Sequence, residues 1–198
     1  MVLLTLVAAP AVELFTLDEL KDHLRIDASQ TEDDAYLMRL VAAVRQHLDG
    51  YSGYLGRALI TQTWRLDLER FSSVERIPLP RLQSVTSITY IDSNGDTQTV
   101  SSSVYEVISD GDWDGYVRKL TSQSWPTDVS TEYAYPVSIT FKAGFGDSWN
   151  DVPEDIRLAA LMLIAETYMS RGEFIPDNLV KNPNARLLLA KWRAVNMV

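Results

Sequence analysis

Leu37, Leu40, Val41, Val44, Leu48, Tyr51 and Leu55 recur at intervals of three and four residues. That spacing puts them on one face of a long α-helix. Thr31-Glu32-Asp33-Asp34 supplies a start for it, and Gly53 and Gly56 stand where it should stop. Upstream, Thr16-Leu17-Asp18-Glu19 has the spacing of a capping box, and Leu17, Leu20 and Leu24 extend a short helix behind it. After Gly56 the period falls to two. Trp64, Leu66 and Leu68 alternate with Arg65, Asp67 and Glu69, the pattern of a half-buried strand. Pro78 and Pro80 mark a turn or a sheet edge, since proline cannot donate to a ladder. Val85 to Ile91, Val104 to Ile108, Tyr116 to Leu120 and Val137 to Phe141 read as further strands. Asp92-Ser93-Asn94-Gly95-Asp96 reads as a hairpin turn, because Asn-Gly accepts positive φ.

A glycine-containing loop, Lys142 to Trp149, leads into a helix from Val152 to Glu173. Pro153 suits its first position, and Glu154 and Asp155 complement the helix dipole. Leu158 to Ala165 is apolar throughout. A helix that is apolar all round must be covered all round, and this run is too short to span a bilayer. Neighbouring subunits are therefore expected to help bury it. After Gly172, Pro176 and Pro183 break the chain, and Ala185 to Val195 reads as a last short helix.

Helices that bracket strands predict an α+β fold, a helical bundle of N- and C-terminal helices with an inserted antiparallel β region. The expected segments are an N-terminal arm and helices (1–56), the β insertion (57–147), a C-terminal bundle helix (148–175) and a basic C-terminal docking segment (176–198). The arm, Met1 to Val12, is apolar, but no Lys or Arg precedes its apolar residues, as a secretory signal would require. It reads as an extended segment lying against the body or a neighbour. No transmembrane segment is expected.

Composition narrows the chemistry. The chain of 198 residues has no cysteine, which removes disulfides and thiolate metal sites. Its formal net charge of −9 disfavours a surface built to grip nucleic-acid phosphates. The end of the chain departs from that average, because Asn178 to Val198 carries Lys181, Arg186, Lys191 and Arg193 and no acidic residue. Trp and Arg are enriched at interface hot spots, so Leu187 to Val198 reads as a docking arm, with Trp192 and Arg193 near its centre.

Other constellations are weaker. Asp110, Asp112 and Asp114 followed by Gly115 match the opening of a calcium loop, but Thr121 stands where a bidentate Glu belongs, and the flanks read as strands. A solvated turn explains them better. Asp92, Asn94 and Asp96 are explained by the hairpin. Gly144-Phe145-Gly146-Asp147 meets neither nucleotide-binding motif and reads as a tight strand-to-helix turn. His23 and His47 lack a ligand partner at helical spacing, and no serine sits in a nucleophile elbow. The aromatics of the β region, Trp64, Tyr90, Tyr105, Trp113, Tyr116, Trp125, Tyr133 and Tyr135, lack the basic residues that would track a nucleic-acid backbone, so core packing and subunit contact are expected of them. No catalytic set, cofactor or metal site is expected.

Several segments, in order, resemble tailed-phage head–tail connector (adaptor) proteins. They are Leu3-Thr5-Leu6 with Ala9-Pro10-Ala11, Thr16 to Asp27, Gly50-Tyr51 with Leu59 to Trp64, Leu79-Pro80-Arg81-Leu82 with Val85, Ile88 and Tyr90, Ile139 to Gly146, and Val152 to Arg157. The resemblance spans about residues 3 to 173. It implies a structural virion protein without catalysis, assembled in the host cytoplasm and placed in the neck. It also implies a ring, commonly twelvefold, under the portal protein, which extends the DNA channel without sequence-specific binding and carries a tail terminator or tail-completion protein. The C-terminal segment would dock on the portal through Leu187, Leu188, Lys191, Trp192, Arg193, Val195 and Met197. Within such a subunit, Leu158, Leu161, Met162, Ala165 and Met169 are expected to pack beside the Leu37–Leu48 helix, leaving Leu163 to the β insertion or a neighbour. The alternative is a soluble calcium-binding module or hydrolase using Asp110, Asp112 and Asp114.

Overall fold

The computed structural model describes residues 2–109, 111–112, 115–170 and 182–194. The elements run β1 (Val2–Ala8), α1 (Leu17–Leu24), α2 (Asp34–Leu48), β2 (Gln62–Leu68), β3 (Val74–Ile77), β4 (Leu82–Ile91), β5 (Thr97–Thr99), β6 (Tyr105–Ser109), β7 (Gly115–Lys119), β8 (Val137–Ala143), α3 (Glu154–Met169) and α4 (Pro183–Ala190). The fold is α+β with antiparallel sheets. It divides into two compact units, one of Met1–Pro10 with Thr61–Phe145 and one of Ala11–Ile60 with Gly146–Val198.

The first unit holds a five-stranded sheet in the order β1-β2-β8-β4-β5 and a three-stranded sheet in the order β3-β7-β6. The alternation in β2 sets its register: Trp64, Leu66 and Leu68 pair with Phe141, Ile139 and Val137 of β8, and all six are buried. Buried Asp67 is satisfied by Arg65 and by the Ser138 hydroxyl at 2.6 Å. Gly115 lets β7 approach Leu82, since a Cβ there would lie 2.5 Å from the Leu82 Cβ. The apolar arm does not trail away: Val2–Ala8 is a strand, paired with β2 at the sheet edge.

The second unit is helical. Thr16 and Glu19 form the expected reciprocal cap of α1. Lys21 is buried and fully engaged, bonding Asp34 at 2.7 Å and the carbonyls of Ala28 and Gln30, and so fixes the α1–α2 loop. Leu37, Leu40, Val41, Val44 and Leu48 form the buried face of α2, as their spacing predicts. That helix ends at Leu48, short of the expected Tyr51 and Leu55. Gly50 takes φ +83° and its N–H bonds the Arg57 carbonyl, turning the chain seven residues earlier than the apolar spacing implied.

In α3 the buried residues are Ile156, Ala159, Ala160, Leu163 and Ile164. This reverses the expected face: Leu163 lies in the unit's own core, while Leu158 and Met169 are exposed and Leu161, Met162 and Ala165 half-buried. Ala159 and Ala160 explain the choice, because small side chains let a neighbouring helix approach closely. Tyr168 donates to Asp33 at 2.7 Å, tying the end of α3 to the start of α2, so the two run antiparallel. The last helix also begins and ends earlier than expected, at Pro183 and Ala190.

Candidate docking surface

The basic C-terminal segment is built onto α3. Asn182 caps α4 by accepting from the N–H groups of Asn184 and Ala185, and Pro183 fits the first turn. The Asn182 amide donates to Glu166 at 2.9 Å, and the Lys191 ammonium meets Asp155 at 2.5 Å. These two pins, at opposite ends, hold α4 antiparallel to α3. The Lys191 bond also keeps the Asp155 carboxyl below its ordinary range.

Beyond α4 the chain stays on its own unit. Trp192 is half-buried, with the fully buried Arg57 guanidinium against its ring and the Lys191 ammonium 5.2 Å from its centroid. The Arg193 guanidinium lies 5.1 Å from the Tyr54 ring centroid, and the Ala194 N–H bonds the Leu55 carbonyl at 2.8 Å. Tyr54 in turn stacks on His47, whose imidazole titrates below its usual range because burial disfavours its charged form. Of the expected docking residues, Lys191, Trp192 and Arg193 are thus seated on the unit, Leu188 is half-buried, and Leu187 projects outward with 76% of its surface exposed. Val195 and Met197 lie outside the described residues, as do Gly172, Pro176 and Lys181. The exposed side of α4 therefore presents Arg186 and Leu187, while Ala185 and Leu189 face inward. Spacing alone missed the pins on Asp155 and Glu166. The opposite charges of Asp155 and Lys191 were the only hint of one of them.

The other candidates resolve into structure. Asp112 is bound by the Arg81 guanidinium, which also lies over the Phe145 ring, and Asp110, Trp113 and Asp114 are outside the described residues. Asp92 accepts from the backbone of Asn94 and Asp96 and from Gln98, as a hairpin requires. Trp125 stacks on Phe71 at 4.6 Å and donates to the Ser72 carbonyl, and Tyr105 stacks beside it, so these aromatics pack on one another. Gly146 makes room for Asp151, which with Ser148 forms a reciprocal cap ahead of α3. Among the described residues no three His, Asp or Glu side chains gather to hold a metal, and no helix is long and apolar enough to cross a membrane.

The profile of the head completion protein family matches residues 13–175. The chain belongs to that family. Its role is that of a structural head–tail connector. Among solved structures, it is similar to a chain in the neck of an empty gene transfer agent particle, computed with C6 symmetry, at 24% identity, TM-score 0.74, and 99% and 97% coverage of the two chains. A chain in the virion of a native gene transfer agent particle matches at 26% identity and TM-score 0.73 with the same coverage. A third, from the neck of the native particle computed with C12 symmetry, matches at 24% identity and TM-score 0.68. No curated protein matches the chain.

Proposed function

We propose that this head completion protein forms a closed, commonly twelvefold ring in the neck of a phage-like particle. There it seats on the portal, extends the DNA channel and carries a tail terminator or tail-completion protein. The observation that carries this reading is the family match across residues 13–175, together with the likeness to chains in particle necks computed with C6 and C12 symmetry. The physics agrees with it. A ring joins unlike faces of successive subunits, and closes. Such a neighbour would cover the outward apolar stripe of α3, Leu158, Leu161, Met162, Ala165 and Met169, which the subunit leaves partly open. The helices of the second unit would then serve as the bundle around the ring. A net charge of −9 suits a channel that DNA must traverse without being held.

In this reading the protein turns over no substrate, and the outward face of α4, with Leu187 and Arg186, meets the portal. The deciding experiment is mass determination of the full chain with its cognate portal, followed by imaging. A closed ring on the portal is expected. A monomer or dimer that leaves the portal unoccupied would overturn the proposal.

A further inference from the structure

The five-stranded sheet has two outer strands, β1 and β5, and neither pairs with a further strand among the described residues. β1 pairs only with β2, and no described strand covers its other side. It contains no charge and no proline, and Leu3, Leu6 and Val7 are 49%, 44% and 56% exposed. Natural edges are usually blunted by charges, prolines or bulges, because free backbone groups beside apolar side chains recruit another strand. Here the one such device is a register break between Leu6 and Ala8, which leaves Val2 to Leu6 open.

At the far side of the sheet, β5 is fully exposed, and Thr97 to Tyr105 is also free of charge. The bonds from Val100 N–H to Ile88 and from Asp92 N–H to Asp96 place the even-numbered residues toward β4. By the alternation of an antiparallel ladder, the backbone groups of Thr97 and Thr99 face outward. Four successive antiparallel pairings separate β1 from β5, so the two strands point the same way.

We propose that the open edge of β1 pairs with the β5 edge of a second copy of this chain, continuing one sheet into the next. A second copy is the occupant these edges fit. Two unlike edges of one sheet, parallel in direction and both uncharged, give a head-to-tail contact that every subunit can make on both sides, as a ring requires. The inference rests on the ring reading. A short parallel pairing is weak on its own, and each subunit of a closed ring makes it twice.

The chain's lack of cysteine makes the test clean. Adjacent strands lie about 4.8 Å apart, within reach of a disulfide. Thr5→Cys would be combined with Thr97→Cys in one full-length variant and with Thr99→Cys in another, bracketing the register. Oxidation of purified protein should give a ladder of covalent multimers in at least one of them and not in the single-cysteine controls. Leu3→Lys with Leu6→Lys, at exposed positions, should leave the melting temperature in place and raise the association midpoint about tenfold, which is about 1.4 kcal/mol. If wild-type rings form but neither variant gives a ladder, or the cysteines link only to a different protein, the edge pairing is overturned and the ring reading stands. If wild-type protein forms no ring alone or on its portal, both fall together.

Discussion

The guanidinium carbon of Arg57 lies 5.8 Å from the centroid of the Trp192 ring. Arg57 is fully buried, and its carbonyl holds the Gly50 turn that ends α2. A residue near the end of the chain therefore roofs the turn between α2 and the β region.

Removing that roof should be costly. Trp192→Ala removes the ring that packs against the Arg57 guanidinium, and with it the cation–π contact. We expect a loss of about 1–3 kcal/mol, while Trp192→Phe keeps most of it. Urea unfolding monitored by far-UV circular dichroism reads this as a lower midpoint with an unchanged slope. An alanine variant as stable as wild type would show that the contact contributes nothing.

The two faces of α3 should respond very differently to truncation. Leu163→Ala opens a cavity in the unit's core and should cost about 2–5 kcal/mol. Leu158→Ala removes an exposed side chain and should stay within about 0.5 kcal/mol in the monomer. Thermal melts of the two variants, compared under monomeric conditions, check the assignment. The reverse order would restore the face that the sequence pattern suggested.

That reversal shows where the sequence was readable. Where one face of an element is polar, as in α2 or β2, the pattern carries its phase, and Leu37, Leu40, Val41, Val44 and Leu48, like Trp64, Leu66 and Leu68, are buried as expected. Apolar residues on every side of α3 leave no phase to read, so small Ala159 and Ala160, which admit a neighbour, set the orientation. Leu3-Leu4-Thr5-Leu6-Val7 has no alternation either, so the pattern suggested an extended arm without its partner β2. Tyr51 and Leu55 kept the helical spacing of α2 while Gly50 ended it, because burial in a turn can mimic the period of a helix. At the docking surface the basic residues were legible. Their anchoring was not, since Asp155, Glu166, Arg57 and Tyr54 are distant in sequence from the side chains they hold.

The Asp155–Lys191 pin makes the α4 anchor sensitive to acid. The hydrogen bond from Lys191 lowers the Asp155 carboxyl below its ordinary value of 3.8. The folded-state value is thus the depressed one. Its stabilisation is present above the unfolded value and is lost as pH falls through the folded one. The Asp155 side-chain carbonyl resonance should titrate below 3.8 in wild-type protein and return toward that value in Lys191→Gln. An unchanged midpoint in the variant would mean that the pin does not act on the carboxyl.

Leu187 separates docking from folding. Lys191 and Arg193 reach toward Asp155 and Tyr54, so reversing their charge would disturb the subunit and the proposed portal contact at once. Leu187 is exposed on α4 between half-buried Leu188 and exposed Arg186, and truncating it removes nothing from the core. Leu187→Glu should leave the melting temperature within about 1–2 °C, since exposed substitutions stay within about 0.5 kcal/mol. On a portal-binding surface, the same change buries a charge in an interface and should weaken binding by about tenfold or more. Arg186→Glu, at a rim position, should chiefly slow association and sharpen its salt dependence. Surface-plasmon measurements of portal binding, made beside thermal melts, separate the two effects. Normal binding by Leu187→Glu would move the docking site off the outward face of α4.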